Sequence, residues 1–299
     1  MDERAQPIDR WRAAGREVEV FGQRIFYLER GPRLATPLLL LHGFPSSSFD
    51  FHRVIDAWAE RYRVVVHDHP GFGFSAKPAA YSYSLLEQAE TAIGLWRQLG
   101  IGEGHLLAHD YGTSVATELL ARRARGLLPL DLKSVTLCNG SVHLELARLR
   151  LAQRLARSPL TGPLFGRLVP GSYVKRVLRR LWGDPRRARD ADLEGIWRAI
   201  RHGDGQRRTH QISSYLDERV RFRHRWAGAL RWLDVPVHVL WGRRDPVAVP
   251  AIAEKLAQEI VGSTLTWLED LGHYPMLEQP EAFAGAALDF LARADGTRS

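Results

Sequence analysis

The stretch "LLAHDYGTSV", residues 106–115, carries two candidate nucleophiles in one chemical frame. Asp110 is the centre of Ala108-His109-Asp110-Tyr111-Gly112, and Ser114 the centre of Gly112-Thr113-Ser114-Val115-Ala116; both read small-x-nucleophile-x-small. The stretch opens on apolar residues, and the helical text "ATELLARR" follows it. A strand, a tight turn and a helix are expected, the setting in which a strained turn exposes a nucleophile. Serine in that place would carry out acyl transfer, whereas aspartate would attack an alkyl carbon and form an ester. The strained turn must follow its strand directly. The apolar run ends near Ala108, which centres the turn on Asp110 and leaves Ser114 a turn further on, inside the helix. Gly112 suits a close approach of helix to strand just after such a turn. Asp110 is therefore read as the nucleophile, with Ser114 as the alternative.

A nucleophile of this kind needs an oxyanion hole, a base, and an acid that orients the base. "LHGFPSSS" places the Phe44 N–H where it can face a developing oxyanion, joined by the N–H of Tyr111 just after the nucleophile. "WGRRDPV" supplies Asp245 and "LEDLGHYPMLEQPEAF" supplies His273, each after a late apolar run. Alone, an Asp before Pro is usually a turn residue and a His beside a Gly-Pro loop is usually structural. Together they stand at successive strand ends in the order nucleophile, acid, histidine, an order in which such triads occur.

These side chains need a scaffold that gathers strand ends. "EVEVFG" and "QRIFYLER" alternate like two antiparallel strands about a Phe21–Gly22 turn. "TPLLLLHG", "RVVVHDHPG", "GHLLAH" and "DLKSVTLCNG" read as buried strands, and "SFDFHRVIDAWAERY" and "SLLEQAETAIGLWRQLG" as helices. Strands alternating with helices imply a parallel sheet covered on both faces. The rhythm stops near Gly140, gives way to helical and loop-like text with an irregular break at "PLTGPLFGRLVPG", and resumes with "DVPVHVLWGRRDPV". "AIAEKLAQEI", "STLTWLEDLGH" and "PEAFAGAALDFLAR" then give a helix, a strand and a closing helix. The expected organisation is an α/β core in two parts, residues 1–139 and 229–299, around a helical cap at 140–228.

Composition narrows the function classes. The chain has 299 residues, 45% hydrophobic and 25% charged, as an ordinary globular protein does. Cys138 is its one cysteine, which excludes an internal disulfide and a cysteine metal cage. The charged opening "MDERAQPIDRWRAAGREVEV" has no apolar signal core, and no apolar run is long enough to span a bilayer, so a cytoplasmic protein is expected. The net charge is +8, with 20 Lys and Arg against 8 Asp and Glu in residues 141–225. No nucleic-acid motif accompanies that charge, which reads as a solvated helical surface rather than a nucleic-acid site. "GFGFS" lacks phosphate-loop spacing. His67, Asp68 and His69 alternate at a strand end and diverge, so no metal site is expected there. Trp182, Trp197, Trp226 and Trp232 are candidates to line an apolar cavity.

"LHGFP", "DHPGFGFSAKP", "HDYG", "DPV" and "GHYPMLEQPEAF" resemble the α/β hydrolase superfamily, in its branch of epoxide hydrolases and haloalkane dehalogenases. "LCNGSVHLE", "IRHGDG" and "RFRHRWAGAL" extend the likeness over nearly the whole chain to the mesoderm-specific transcript group, itself described mainly as hydrolases. The resemblance implies an α/β-hydrolase fold with an inserted helical cap, no cofactor, and a small apolar organic substrate with water. Haloalkane dehalogenases offer a leaving halide a Trp beside the nucleophile and often an Asn in the oxyanion loop. Here those places hold Tyr111 and Phe44, whose side chains have no N–H. Epoxide hydrolases protonate the leaving oxygen with cap tyrosines, one of them about thirty residues before the triad acid. Tyr215 lies at that spacing from Asp245, and Tyr173 is the nearest candidate for a second. The reading is an epoxide hydrolase, and the alternatives are another Asp-nucleophile hydrolase such as a dehalogenase, a Ser114 esterase, or a ligand-binding member without turnover. The sequence does not fix the oligomeric state.

Overall fold

The structure is a computed structural model that describes residues 6–148 and 168–296. Its eight strands are β1 (Arg16–Val20), β2 (Gln23–Arg30), β3 (Pro37–Leu41), β4 (Arg63–His67), β5 (Glu103–His109), β6 (Asp131–Cys138), β7 (Val237–Gly242) and β8 (Thr264–Leu268). They form one sheet in the order β1-β2-β4-β3-β5-β6-β7-β8. β2 runs antiparallel to both β1 and β4, and every other pairing is parallel. The β1–β2 hairpin turns at Phe21 and Gly22, both with positive φ, where the alternation predicts the turn.

Period-two alternation divides the buried strands between two cores. Leu38, Leu40, Val64, Val66 and Leu107 face the helices Pro7–Ala14, Ile55–Ala59 and Pro280–Gly296. Leu39, Leu41, Val65, Leu106 and Ala108 face the helices Leu85–Gln98, Tyr111–Arg123 and Pro250–Glu259. Both faces are apolar because both are covered, which is why these strands read as continuous hydrophobic runs.

Two local expectations change. "SFDFHRVIDAWAERY" is not one helix but a short 3-10 turn, Ser48–Phe51, and a separate helix, Ile55–Ala59. Other bonds claim its first residues: the Ser48 N–H donates to Asp68 at 2.8 Å, and Asp50 accepts locally from the Ser46 hydroxyl at 2.5 Å. The charged N-terminal text contains a helix, Pro7–Ala14, that buries Ile8 and Trp11 at i,i+3 spacing behind an N-terminal proline.

Between β6 and β7 the described residues hold five α-helices, Gly171–Arg179, Asp190–Arg201, Gly205–Ile212, Tyr215–Arg221 and Arg223–Ala229, and no strand. The irregular break expected at 159–171 lies mostly outside the described residues. No described helix is long and apolar enough to cross a membrane.

The topology itself locates a crevice. β3 lies between β4 and β5, so the chain leaves β3 first to one side and later to the other, and the crevice opens at their carboxyl ends. Gly43 and Phe44 follow β3, Asp110 follows β5, and the pairing of Leu41 with Ala108 sets the two ends opposite each other. The helix after β5 packs against β3 so closely that a Cβ on Gly112 would lie 2.5 Å from the Leu41 carbonyl oxygen. Backbone cannot yield as a flexible side chain would. Gly112→Ala should therefore lower unfolding stability by about 2 kcal/mol, the usual scale of overpacking. Urea denaturation measures it, and an unchanged midpoint would contradict this close approach.

Candidate active site

Asp110 occupies a conformation that few non-glycine residues adopt, φ 45° and ψ −108°. Its N–H donates to the Cys138 carbonyl at 3.0 Å, and its own carbonyl accepts from the Thr113 N–H at 3.0 Å and hydroxyl at 2.6 Å. The turn is thus held from β6 on one side and from the helix on the other. Gly43 brings the β3 loop against it, since a Cβ there would stand 3.1 Å from the Asp110 Cβ. The approach lets the Phe44 N–H donate to Asp110 Oδ2 at 2.9 Å. The Tyr111 N–H begins the helix and has no intrahelical acceptor.

The other carboxylate oxygen, Oδ1, faces His273 Nε2 at 3.9 Å, and His273 Nδ1 is 2.7 Å from Asp245 Oδ2. Asp245 is itself fixed. Its Oδ1 accepts the N–H groups of Val247 and Ala248 at 2.7 and 3.0 Å, and its Oδ2 accepts Asn139 Nδ2 at 2.7 Å. Asn139 follows β6 directly with φ 44° and also accepts the Gly242 N–H at 3.0 Å, joining the ends of β6 and β7. These contacts leave the imidazole Nδ1 as donor and aim Nε2 at Asp110. Burial alone would lower the His273 pKa. Asp245, by charge and hydrogen bond, outweighs it together with Asp110 and Asp50, and the value rises from 6.5 to about 9.

A second layer holds the histidine in place. The His273 N–H donates to the carbonyl of Leu181, and its carbonyl accepts His109 Nε2 at 2.7 Å. Glu278 receives the N–H groups of Gly183, Asp184 and Gly272 between 2.9 and 3.0 Å, binding the segment Leu181–Asp184 to the histidine loop. His109 also approaches Asp50, a fully buried carboxyl whose pKa burial drives up to about 8 despite the Ser46 hydroxyl that binds it.

Tyr215 begins its helix fully buried, with its ring 5.7 Å from that of Phe44 and 4.9 Å from that of Tyr111. Burial holds its phenol well above the usual value, and Asp110 adds to the rise while Arg219 opposes it. Ser114 lies within the helix, buried, with its hydroxyl 2.5 Å from Arg219 Nε. The structure therefore brings together Asp110, Phe44, Tyr111, Asp245, His273 and Tyr215. Tyr173 is apart from them, 37% exposed near the start of Gly171–Arg179. Asp68 spends its two oxygens on the N–H groups of Ser48 and Phe74, and the described residues contain no group of three ligands able to hold a metal ion. Of the four tryptophans, Trp182 stacks on Tyr274, Trp226 donates to Glu118, Trp197 is buried and Trp232 is 79% exposed.

Sequence reasoning missed Asn139, His109, Asp50 and Arg219. An Asn-Gly pair closing a strand beside the acid strand is a signal for Asn139; the other three have none, because their roles depend on tertiary neighbours.

The fold is that of an α/β hydrolase. The chain belongs to the alpha/beta hydrolase fold family, whose pattern matches residues 36–280. It is 41% identical to LipZ of Mycobacterium tuberculosis, a protein named as a hydrolase, over 95% of this chain and 98% of that one. It is 36% identical to the human mesoderm-specific transcript homolog protein over 94% of this chain and 87% of that one. Among solved structures it is similar to haloalkane dehalogenase DbeA of Bradyrhizobium elkani, with a TM-score of 0.81, 23% identity, and coverage of 95% and 99%. At that identity the likeness speaks for the fold alone.

The charge coupling at His273 gives a direct test. Followed by NMR, the imidazole should titrate far above 6.5, near 9, and Asp110→Asn should lower that value by removing one carboxylate. The unfolded chain releases this proton near 6.5 and the folded one near 9. The stabilisation it represents is thus complete below pH 6.5 and lost as the pH rises towards 9. A titration identical in Asp110→Asn would deny the coupling.

Proposed function

We propose that this protein hydrolyses an epoxide to a vicinal diol through a covalent ester on Asp110. The observation that carries the reading is the Asp110 carboxylate itself. One oxygen is bound by the Phe44 N–H and the other faces a histidine that Asp245 orients. Oδ1 attacks a ring carbon as the carbon–oxygen bond on its far side breaks. Tyr215 gives its phenolic proton to the departing oxygen; its place beside Phe44 and Tyr111 and its retained proton support that role. Neither Phe44 nor Tyr111 has a side-chain N–H for a halide, which favours an epoxide over an alkyl halide.

Esterification discharges Asp110 and removes one of the charges that hold the proton on His273. The imidazole then gives up that proton, which replaces the one lost by Tyr215, and becomes a base. It takes a proton from water, and the resulting hydroxide adds to the ester carbonyl. Negative charge returns to Oδ2, where the Phe44 N–H already stands and the Tyr111 N–H joins it. Each such donor contributes on the order of 3 kcal/mol to the transition state. Collapse breaks the Cγ–Oδ1 bond, so Oδ1 leaves in the diol and takes the proton of the hydroxyl just added, while the water oxygen completes the restored Asp110 carboxylate and His273 is left protonated as at the start. Ser114 supports no equivalent scheme, since it sits inside a helix with its hydroxyl bound to Arg219.

Asp110→Asn should abolish diol formation from a panel of epoxides, whereas Ser114→Ala should keep it; the reverse pattern would move the nucleophile to Ser114. His273→Gln should stop after the first step, and its intact mass should rise by that of the substrate with the adduct on Asp110. Absence of an adduct at saturating substrate would count against covalent catalysis. In the wild-type enzyme the hydrolysis step should slow as pH falls, because a protonated His273 cannot accept from water. Tyr215→Phe should slow ester formation on the order of 10²- to 10⁴-fold and leave ester hydrolysis nearly unchanged. Single-turnover kinetics separate the two steps, and near-wild-type ester formation would remove Tyr215 from the mechanism.

A further inference from the structure

Arg219 is a buried cation without a counter-charge among the described residues. It is 4% exposed. Its Nε donates to Ser114 Oγ, while Nη1 and Nη2 have no hydrogen-bond partner. The acidic groups nearby are engaged elsewhere: Glu218 accepts the Leu85 N–H at 2.7 Å, and Glu118 binds Arg122, Arg225 and Trp226. Residues 149–167, outside the described part, contain no aspartate or glutamate. Stacking over the Tyr215 ring, with Cζ 4.7 Å from its centroid, offsets only part of the cost of burying a guanidinium. A protein keeps an unpaired charge in such a place at a heavy cost in stability, unless something arrives to pair it.

The position says what arrives. Ser114 is one helical turn past Asp110. The Tyr215 ring feels both the Asp110 and the Arg219 charges. Tyr111 packs against that ring, with centroids 4.9 Å apart. The guanidinium thus belongs to the aromatic cluster that adjoins the nucleophile. Two free nitrogens in one plane match the two oxygens of a carboxylate better than a single spherical ion.

We propose that Arg219 is an anion site that seats a carboxylate on the substrate, so that the epoxides this enzyme prefers carry an acid group a few bonds from the ring. This revises the apolar substrate expected from the sequence. The preference for acidic epoxides rests on the reaction proposed above; the anion site itself does not.

Two measurements on the full-length protein keep the two claims separate. The first is calorimetric titration with unreactive butanoate and benzoate. Wild type should bind them, and Arg219→Met should bind on the order of 10- to 100-fold more weakly, as expected for loss of a charged hydrogen-bonding pair. Methionine fills similar space without charge, and replacing a buried charge by an apolar side chain need not destabilise a fold. Arg219→Lys serves as a second variant that keeps the charge and loses the fork, and it should fall between. The second measurement compares an epoxy acid with its methyl ester. Arg219→Met should raise KM for the acid on the same order and change that of the ester less than about 3-fold. Absence of carboxylate binding in wild type, or equal binding in Arg219→Met, would overturn the site. So would an equal loss of kcat on acid and ester, which would mean that Arg219 only tunes Tyr215. Carboxylate binding that requires Arg219, in a protein that opens no epoxide, would leave the site standing and refute the reaction.

Discussion

The backbone of Asp110 sits at φ 45° and ψ −108°, a conformation that costs about 1–3 kcal/mol. Its surroundings sustain it. β6 binds its N–H, Thr113 binds its carbonyl, and Gly43 and Gly112 let β3 and its loop approach from either side. Those approaches exist because β3 lies between β4 and β5, so the sheet order and the strained residue depend on each other. Relaxing this turn would move the carboxylate away from both the Phe44 N–H and His273.

Charge is arranged around that turn in a buried setting. Asp110, Asp245 and Asp50 are all buried near one imidazole, and the protein treats them differently. Asp245 has three N–H donors besides His273 and serves as a fixed charge. Asp50 accepts the Ser46 hydroxyl through one oxygen, and burial raises its pKa to about 8. Asp110 has one N–H donor and an open oxygen. Three chemically identical groups thus differ in how many donors reach them, most at Asp245 and fewest on the open oxygen of Asp110.

What the sequence made legible follows from what is local. Strand ends are visible as the ends of apolar runs, so the sequence alone sets Asp110, Asp245 and His273 just beyond strand ends. Phe44 and Tyr111 followed from the same reasoning. The short helix at Pro7–Ala14 was hidden because its charged residues mask two buried ones, Ile8 and Trp11. Asp50 lay in text with helical spacing, and bonds to Ser46 and from Ser48 to Asp68 broke that helix. Arg219 was counted with the basic cap surface. A charge count cannot tell a solvated arginine from one whose head is enclosed, and Trp232, 79% exposed, shows the same limit for an apolar side chain.

The segment Leu181–Asp184 meets the histidine loop backbone to backbone. Leu181 accepts the His273 N–H, Glu278 gathers three N–H groups from both segments, and a Cβ on Gly272 would lie 2.3 Å from the Gly183 nitrogen. At this end the roof of the site and its base are one mechanical part. Lifting the segment Leu181–Asp184 would break the bonds that the N–H groups of Gly183, Asp184 and His273 make across the joint and so disturb the histidine loop. The joint ties any displacement of Leu181–Asp184 to a displacement of the histidine loop.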